Sequence, residues 1–404
     1  MEHIGTTPIQ VELEQYQREL LEDVIPFWIQ HGWDEELGGF LTCLNQDGTL
    51  LDTDKGVWQQ GRAAWLFGEL YNTMKADPVW LQIAASTVDF IDRYCFDPDD
   101  GRMWFHLTRD GHPIRKRRYA FSESFAAIAY GELAKATQSD QRAAQAQRLF
   151  ERFVSHHGTP GSIPPKSTGQ RPMRSLGFPM ITINTAQELR ESIGLPAAAE
   201  WIDRSIEAIQ TYHCYAPLKC VLESPGEQGD LLDHFEGRQL NPGHAIEGAW
   251  FILAEADHRN DQQLCDLGCQ MLDWMWEKGW DAEFGGMLYF VDAKGLPPQE
   301  YWHDMKFWWP HNETIIATLY AYMLTHHPKY LERYRQIKEW TYRHFPDPEH
   351  GEWFGYLHRD GTVSQPAKGN LWKGPFHLPR MLLMCLRLLT KLQNSQTPRF
   401  EHSD

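Results

Sequence analysis

The stretch DEELGGFLTCLNQDG, residues 34–48, returns three more times along the chain. Its counterparts are DPDDGRMWFHLTRDG from Asp97, DAEFGGMLYFVDAKG from Asp281 and DPEHGEWFGYLHRDG from Asp347. In each, a Gly follows the Asp by four residues and aromatics come next. A second turn closes the stretch at Asp47-Gly48, Asp110-Gly111, Lys294-Gly295 or Asp360-Gly361. Short aromatic runs between glycine turns read as a β-hairpin. The starts lie 63, 184 and 66 residues apart, and 184 is close to three of the shorter steps. Such a period is the mark of a repeat architecture. Two further copies are therefore due near residues 160 and 223. There GTPGSIPPKSTG (158–169) and SPGEQGD (224–230) keep the chain breakers but lose the hairpin pattern.

The segments between these loops have helical periodicity. AAWLFGELYNTM, WLQIAASTVDFIDRYC, SFAAIAYGELAKAT, AAQAQRLFERFV and LPRMLLMCLRLLTKL carry apolar residues three and four apart. Each unit holds two helices, one more apolar than the other. With no long strand, a parallel-sheet enzyme is excluded. The expected fold is all-α, an (α/α)6 barrel of six helical hairpins with short β-hairpins in the loops at one end. An open α-solenoid is the alternative. The barrel is expected to take up the whole chain, 1–404, as one domain with its core at about 15–390 and a short C-terminal tail.

Composition sets the outer bounds. Of 404 residues, 42% are hydrophobic and 23% charged, which is globular rather than disordered. The net charge of −17 opposes a grip on nucleic acid or on an anionic membrane. No apolar run approaches the roughly 20 residues of a membrane span, and the N-terminus does not read as a signal peptide. Seven scattered cysteines suit reduced thiols in a cytoplasmic protein.

One polar position recurs at the same phase of all six repeats. It runs Arg62, Glu123, Asn184, His244, His311 and His377, with steps of 61, 61, 60, 67 and 66 residues. Each lies near the predicted start of an apolar helix; Pro242, Pro310 and Pro375 are expected at or near first helical positions, with Asn241 as an N-cap. In a closed barrel these side chains face one another across the axis. Three histidines in register are proton carriers at neutral pH, and Glu247 and Glu313 can set their tautomers. A bound Zn2+ is the competing reading, but no short H-x-x-x-H pair is present, and no metal is expected. A glycosidase carboxylate pair fits less well, because each Glu is bracketed by His. The set suits removal of a proton α to a carbonyl, with Arg62 holding the enediolate oxygen.

The blocks FEGRQLNPGHAIEGAWFI (235–252), KFWWPHNETIIA (306–317), GEWFGYLHRDG (351–361) and WKGPFHLPR (372–380) resemble the signatures of the N-acylglucosamine 2-epimerase family. The resemblance implies an (α/α)6 barrel and epimerisation of an aldose at C2, between N-acetylglucosamine and N-acetylmannosamine, in a homodimer. It implies that His244 and His377 are the acid and base at C2, that Arg62 binds open-chain oxygens, and that Glu247 and His311 orient the sugar and assist ring opening. Asn184, Glu188, Glu313, Trp309, Trp372 and Arg380 are the expected substrate contacts. Relatives acting on unsubstituted sugars often carry a His where Glu188 stands, which favours the N-acyl branch. The alternative is an epimerase or aldose–ketose isomerase of mannose, glucose or cellobiose. In the N-acyl branch ATP acts as an activator without being consumed, and Lys166 and Arg171 are the candidates for its phosphates.

Overall fold

The computed structural model describes residues 3–4, 7–117, 119–159, 161–164, 168–394 and 397–400. Helix α1 (Ile9–Arg18) runs through a π-helical turn (Glu19–Val24) into α2 (Ile25–His31). Then come α3 (Val57–Thr73), α4 (Pro78–Tyr94), α5 (Phe121–Thr137), α6 (Asp140–Gly158), α7 (Gly177–Ile193) and α8 (Ala198–Ala208), the last extended by a second π-helical turn (Ile209–His213). The short α9 (Phe235–Arg238) precedes α10 (Pro242–Arg259), α11 (Gln262–Gly279), α12 (Trp308–Thr325), α13 (Pro328–His344) and α14 (His377–Asn394).

Burial separates two classes of helix. Along α12 all but one residue, Tyr322, is buried, as expected of a helix surrounded on every side. Its partner α13 buries only Tyr330, Tyr334, Ile337, Trp340 and Thr341, a single stripe. The apolar helices α3, α5, α7, α10, α12 and α14 form the inner ring, and the amphipathic ones back it. The ring closes between α14 and α3, where Arg387 pairs with Glu69 and donates to Thr73 at 3.1 Å, and Trp65 meets Phe376 edge-on at 5.3 Å. The N-terminal helix completes the outer layer, with Tyr16 and Tyr334 hydroxyls 2.7 Å apart. This is the barrel expected from the repeat. No described helix is long and apolar enough to cross a membrane.

Local chemistry explains the hairpin starts. Asp77, Ser139 and Asp261 cap α4, α6 and α11 by accepting from backbone N–H groups. Asn241 caps α10 as expected, accepting from His244 N at 3.1 Å, with Pro242 in first position. Pro310 instead lies third in α12 and Pro375 two residues before α14. A first-turn proline loses no helical hydrogen bond, so the shift costs little.

The four recurring loops share one device. Gly38, Gly101, Gly285 and Gly351 have φ of +79°, +66°, +73° and +74°, and each donates its N–H to the carbonyl of the repeat's Asp. A lysine then neutralises each Asp: Lys55 with Asp34 at 2.8 Å, Lys116 with Asp97 at 2.5 Å, Lys306 with Asp281 at 3.0 Å and Lys368 with Asp347 at 2.8 Å. The hairpins themselves are shorter than expected, mostly single bridges or strands of two or three residues. They are joined instead to the neighbouring repeat, as Lys55–Gly56 pairs with His106–Leu107 and Lys306–Phe307 with Tyr356–Leu357.

Inner helices approach closely at glycines. A Cβ on Gly61 of α3 would meet the Phe125 backbone of α5 at 2.6 Å. Gly61→Ala is therefore expected to destabilise the fold by about 1–3 kcal/mol, read as a lower denaturant midpoint with an unchanged slope. An unchanged midpoint would show that these helices have room to part.

Candidate functional site

The N-terminal ends of the inner helices surround a cavity of about 560 Å³. Arg62 (α3), Asn184 (α7), His244 and Glu247 (α10), Trp309 (α12) and His377 and Arg380 (α14) all line it, and Trp372 stands at its mouth, 43% exposed. Trp58 and Trp308 line it as well. The repeat phase thus brings eight of the expected site residues to one place.

His377 is the first residue of α14 and is 8% exposed. Its Nδ1 donates to Glu313 Oε1 at 2.7 Å, which leaves Nε2 for a ligand. Burial lowers its pKa well below the ordinary value, and the neighbouring Arg380 lowers it further. It is a neutral base. His244 has the opposite setting. Its Nδ1 donates to Glu223 at 3.1 Å, and the 34% of its side-chain surface that is open faces the cavity. Burial alone would lower its pKa, but the charge and hydrogen bond of Glu223 outweigh that and hold it raised. Both rings lie beside the Trp309 indole, 5.1 Å from His244 and 5.7 Å from His377 between centroids. Two histidines whose environments push their pKa values apart can serve as an acid and a base on one cavity.

Charge in the cavity floor is tightly held. The Arg380 guanidinium spans Glu247 and, at 2.7 Å, Glu313. Glu313 also accepts from Trp250 Nε1 at 2.7 Å. Glu247, Glu313 and His377 each offer a ligand atom within 4.8 Å of the others, but Arg380 already supplies the positive charge between the carboxylates. Arg62 stands differently. It lies 4.2 Å over Phe125 and 4.7 Å over Phe376, with no carboxylate in salt-bridge range among the described residues. Burial pushes its pKa down to about 9, so it stays cationic at neutral pH. Such a guanidinium is suited to a developing oxyanion.

Three expectations are corrected. His311 is fully buried and does not line the cavity. Its Nδ1 donates to Phe307 O at 2.7 Å and its Nε2 accepts from Met287 N at 3.0 Å. Burial pushes its pKa down to about 3, so it is a neutral turn anchor rather than a sugar ligand. Gln60 and Glu123 do the same work in their repeats, accepting from Phe40 N at 2.6 Å and Met103 N at 2.9 Å. Glu188, one turn beyond Asn184, is not a lining residue either; it accepts from Trp65 Nε1 at 2.8 Å. Glu313 sits behind His377 and positions it, without facing the cavity. For the nucleotide, Arg171 is exposed on the loop before α7, and Lys166 lies outside the described residues.

The residue that sequence reasoning missed is Glu223. It lies where the fourth repeat has lost its hairpin, just after strand Cys220–Val221, and no motif or spacing marks it.

Two measurements check these assignments. His311→Gln, which copies Gln60, is expected to keep turnover within about tenfold of the parent, whereas His311→Ala should lose about 1–3 kcal/mol by exposing an unpaired N–H. Loss of turnover by a stably folded His311→Gln would return His311 to the chemistry. Glu223→Gln removes the charge that raises His244, so the alkaline limb of the pH–rate profile should move to lower pH. An unmoved limb would separate Glu223 from the acid.

Residues 39–374 match the family described as N-acylglucosamine 2-epimerase (GlcNAc 2-epimerase). The N-acylglucosamine 2-epimerases of Bos taurus and Homo sapiens are 38% and 36% identical over 94% of this chain, covering 91% and 90% of their own lengths. The cellobiose 2-epimerase of Eubacterium cellulosolvens is more distant, at 23% identity over 93% of this chain and 98% of its own. Among solved structures, a cellobiose 2-epimerase from Spirochaeta thermophila superposes with a TM-score of 0.82 at 18% identity, over 95% of this chain and 98% of that one. A D-mannose isomerase gives 0.80 at 16%, over 93% and 97%. By sequence along most of its length and by the barrel that carries the histidine pair, the chain belongs to the N-acylglucosamine 2-epimerase family.

Proposed function

We propose that this protein is an isomerase that interconverts N-acetyl-D-glucosamine and N-acetyl-D-mannosamine by removing a proton from one face of C2 and adding another to the opposite face. The observation that carries the reading is the pair His377 and His244, one held neutral and one held raised, on a single cavity with Arg62. The higher identity to N-acylglucosamine 2-epimerases than to cellobiose 2-epimerases supports the N-acyl substrate over an unsubstituted sugar.

The chemistry follows from these settings. The sugar reacts in its open form, because only the C1 aldehyde acidifies C2–H. His377 Nε2 removes that proton, and its new charge is balanced by Glu313 on Nδ1. The electron pair moves onto the C1 oxygen, where the Arg62 guanidinium meets the enolate. Protonated His244 then delivers its Nε2 proton to the other face of C2, and Glu223 keeps the ring oriented throughout. After one turnover His377 is charged and His244 neutral, so exchange with solvent resets the pair. Glu247, paired with Arg380 and lining the cavity, assists ring opening and orients the sugar, and Asn184, Trp309 and Trp372 complete its contacts. To the same reading belong a cytoplasmic location, favoured by the seven free cysteines, a homodimer and activation by ATP near Arg171.

Proton NMR in D2O with N-acetylmannosamine tests this. Early in the reaction the N-acetylglucosamine formed is expected to carry deuterium at C2, while unreacted N-acetylmannosamine keeps its hydrogen. His377→Gln and His244→Gln should each lower turnover by about 10²–10⁴-fold. Deuterium in the unreacted sugar would indicate one base acting on both faces. Fructose formed from mannose, with N-acetylmannosamine left untouched, would move the enzyme to the isomerase alternative.

A further inference from the structure

Lys373, in the segment that feeds α14, buries its ammonium with 1% exposure. Its Nζ donates to Glu352 Oε1 at 2.8 Å and to the carbonyl of Lys368 at 2.7 Å. Burial lowers its pKa, and the charge of Glu352 opposes the shift. This ion pair is additional to the Asp–lysine device of its loop, which Lys368 and Asp347 already supply. The lysine stem passes where only a glycine leaves room, since a Cβ on Gly355 would meet Lys373 Cδ at 2.7 Å.

Glu352 keeps an unfavourable backbone to make this pair. Its φ is +55°. The other non-glycine residues with positive φ among the described residues are Gln138, Lys219, Asn260 and His326, and each ends a helix, where that conformation is usual. Glu352 ends none. Two of the other recurring loops place glycine at the same repeat position, Gly39 at +78° and Gly286 at +72°. A glutamate held where glycine fits is strained, so the reason for it lies in its side chain. That carboxylate accepts from Trp28 Nε1 at 2.6 Å, from Trp353 N at 2.9 Å and from Lys373. The remaining loop offers a parallel. Arg102 stands at this position, and its Nη2 donates to the carbonyls of Arg117 at 2.9 Å and Tyr119 at 3.3 Å, in the segment that feeds α5.

What Lys373 holds is a closed turn, residues 370–373. Asn370 Oδ1 accepts from Trp372 N and Lys373 N, both at 2.8 Å, and Asn370 N donates to Lys373 O at 2.9 Å. The turn sets Trp372 at the cavity mouth, and α14 begins at His377 shortly after. Lys373 Nζ also lies 5.8 Å from the Trp308 ring, whose indole meets His377 edge-on at 6.1 Å.

We propose that Glu352 and Lys373 are positioning residues for the reaction at C2: their ion pair pins the 370–373 turn, which fixes Trp372 over the mouth and sets the start of α14 where His377 meets the substrate. Neither lines the cavity, so both act through the residues they hold. A shift of about 1 Å at a reacting group costs up to about 10²-fold in rate. The effect on the reaction rests on the epimerase reading; the pinning does not.

Two variants of the full-length protein test this. Lys373→Met with Glu352→Gln removes both charges together, so no buried ion is left alone. Asn370→Ala opens the same turn without touching a buried charge. In both, hydrogen exchange followed by mass spectrometry is expected to quicken over residues 369–377 and to stay unchanged over α10. For N-acetylmannosamine, kcat should fall about tenfold or more while KM changes by less than about threefold. Unchanged exchange over 369–377 in both variants would overturn the pinning. Faster exchange with kcat intact, or with KM alone raised, would overturn the link to His377. A parent protein without epimerase activity would count against the epimerase reading, and the exchange measurement would still decide the pinning.

Discussion

The structure depends on one guanidinium. Arg380 enters from α14 and spans carboxylates of α10 and α12, all three groups being buried. Taking charges out of water is costly, and removing one partner of such a set costs about 3–5 kcal/mol. The triad therefore fixes the mutual position of three inner helices at the end where the cavity opens. It also sets the chemistry. Glu313 is tied to Arg380 and holds His377 in one tautomer, while burial and then the charge of Arg380 push the pKa of that ring down. The same contact joins α10, α12 and α14 and holds the ring of His377.

Around this centre the repeats supply rigidity by a common device. An Asp turn and a lysine fix each of four loops, and in three of them an inner-helix side chain accepts from the turn as well. The lysine cost is visible in Lys306, whose pKa burial pushes down to about 8. The two loops without the device run between α6 and α7 and between α8 and α9. They pair with each other through Met173 and Gly226 instead, and they carry Glu223. Departure from the repeat is where His244 acquires its own partner.

This division explains what the sequence could convey. The period of the Asp-x-x-x-Gly stretches and the apolar helices between them contained the barrel, because repeats that cannot bury their own faces must stack. The ladder phase also identified the cavity end, since all inner helices start there. It could not decide which side chain of a turn looks inward. Successive residues on a helix differ by about 100°, so His311 turns outward to a backbone N–H while Trp309, two residues earlier, lines the cavity. Glu188 fails for a different reason: four residues beyond Asn184 it keeps nearly the same face but lies about 6 Å further along α7, away from the cavity. Glu223 was invisible because its meaning depends on a loop fold that no local pattern encodes.

The symmetry of the barrel raises a further point. A proton crossing from one face of C2 to the other needs two groups that differ in protonation at the start, and a six-fold repeat tends to make its positions alike. Here the inequality comes from what stands behind each ring rather than from the rings. His377 is backed by a carboxylate already committed to Arg380, and His244 by one supplied from an irregular loop. Both carboxylates accept from Nδ1, so both rings present Nε2 to the cavity, and burial together with the surrounding charge sets them apart. The difference between the two rings is thus set by the carboxylates behind them, one in a kept repeat and one in a broken one.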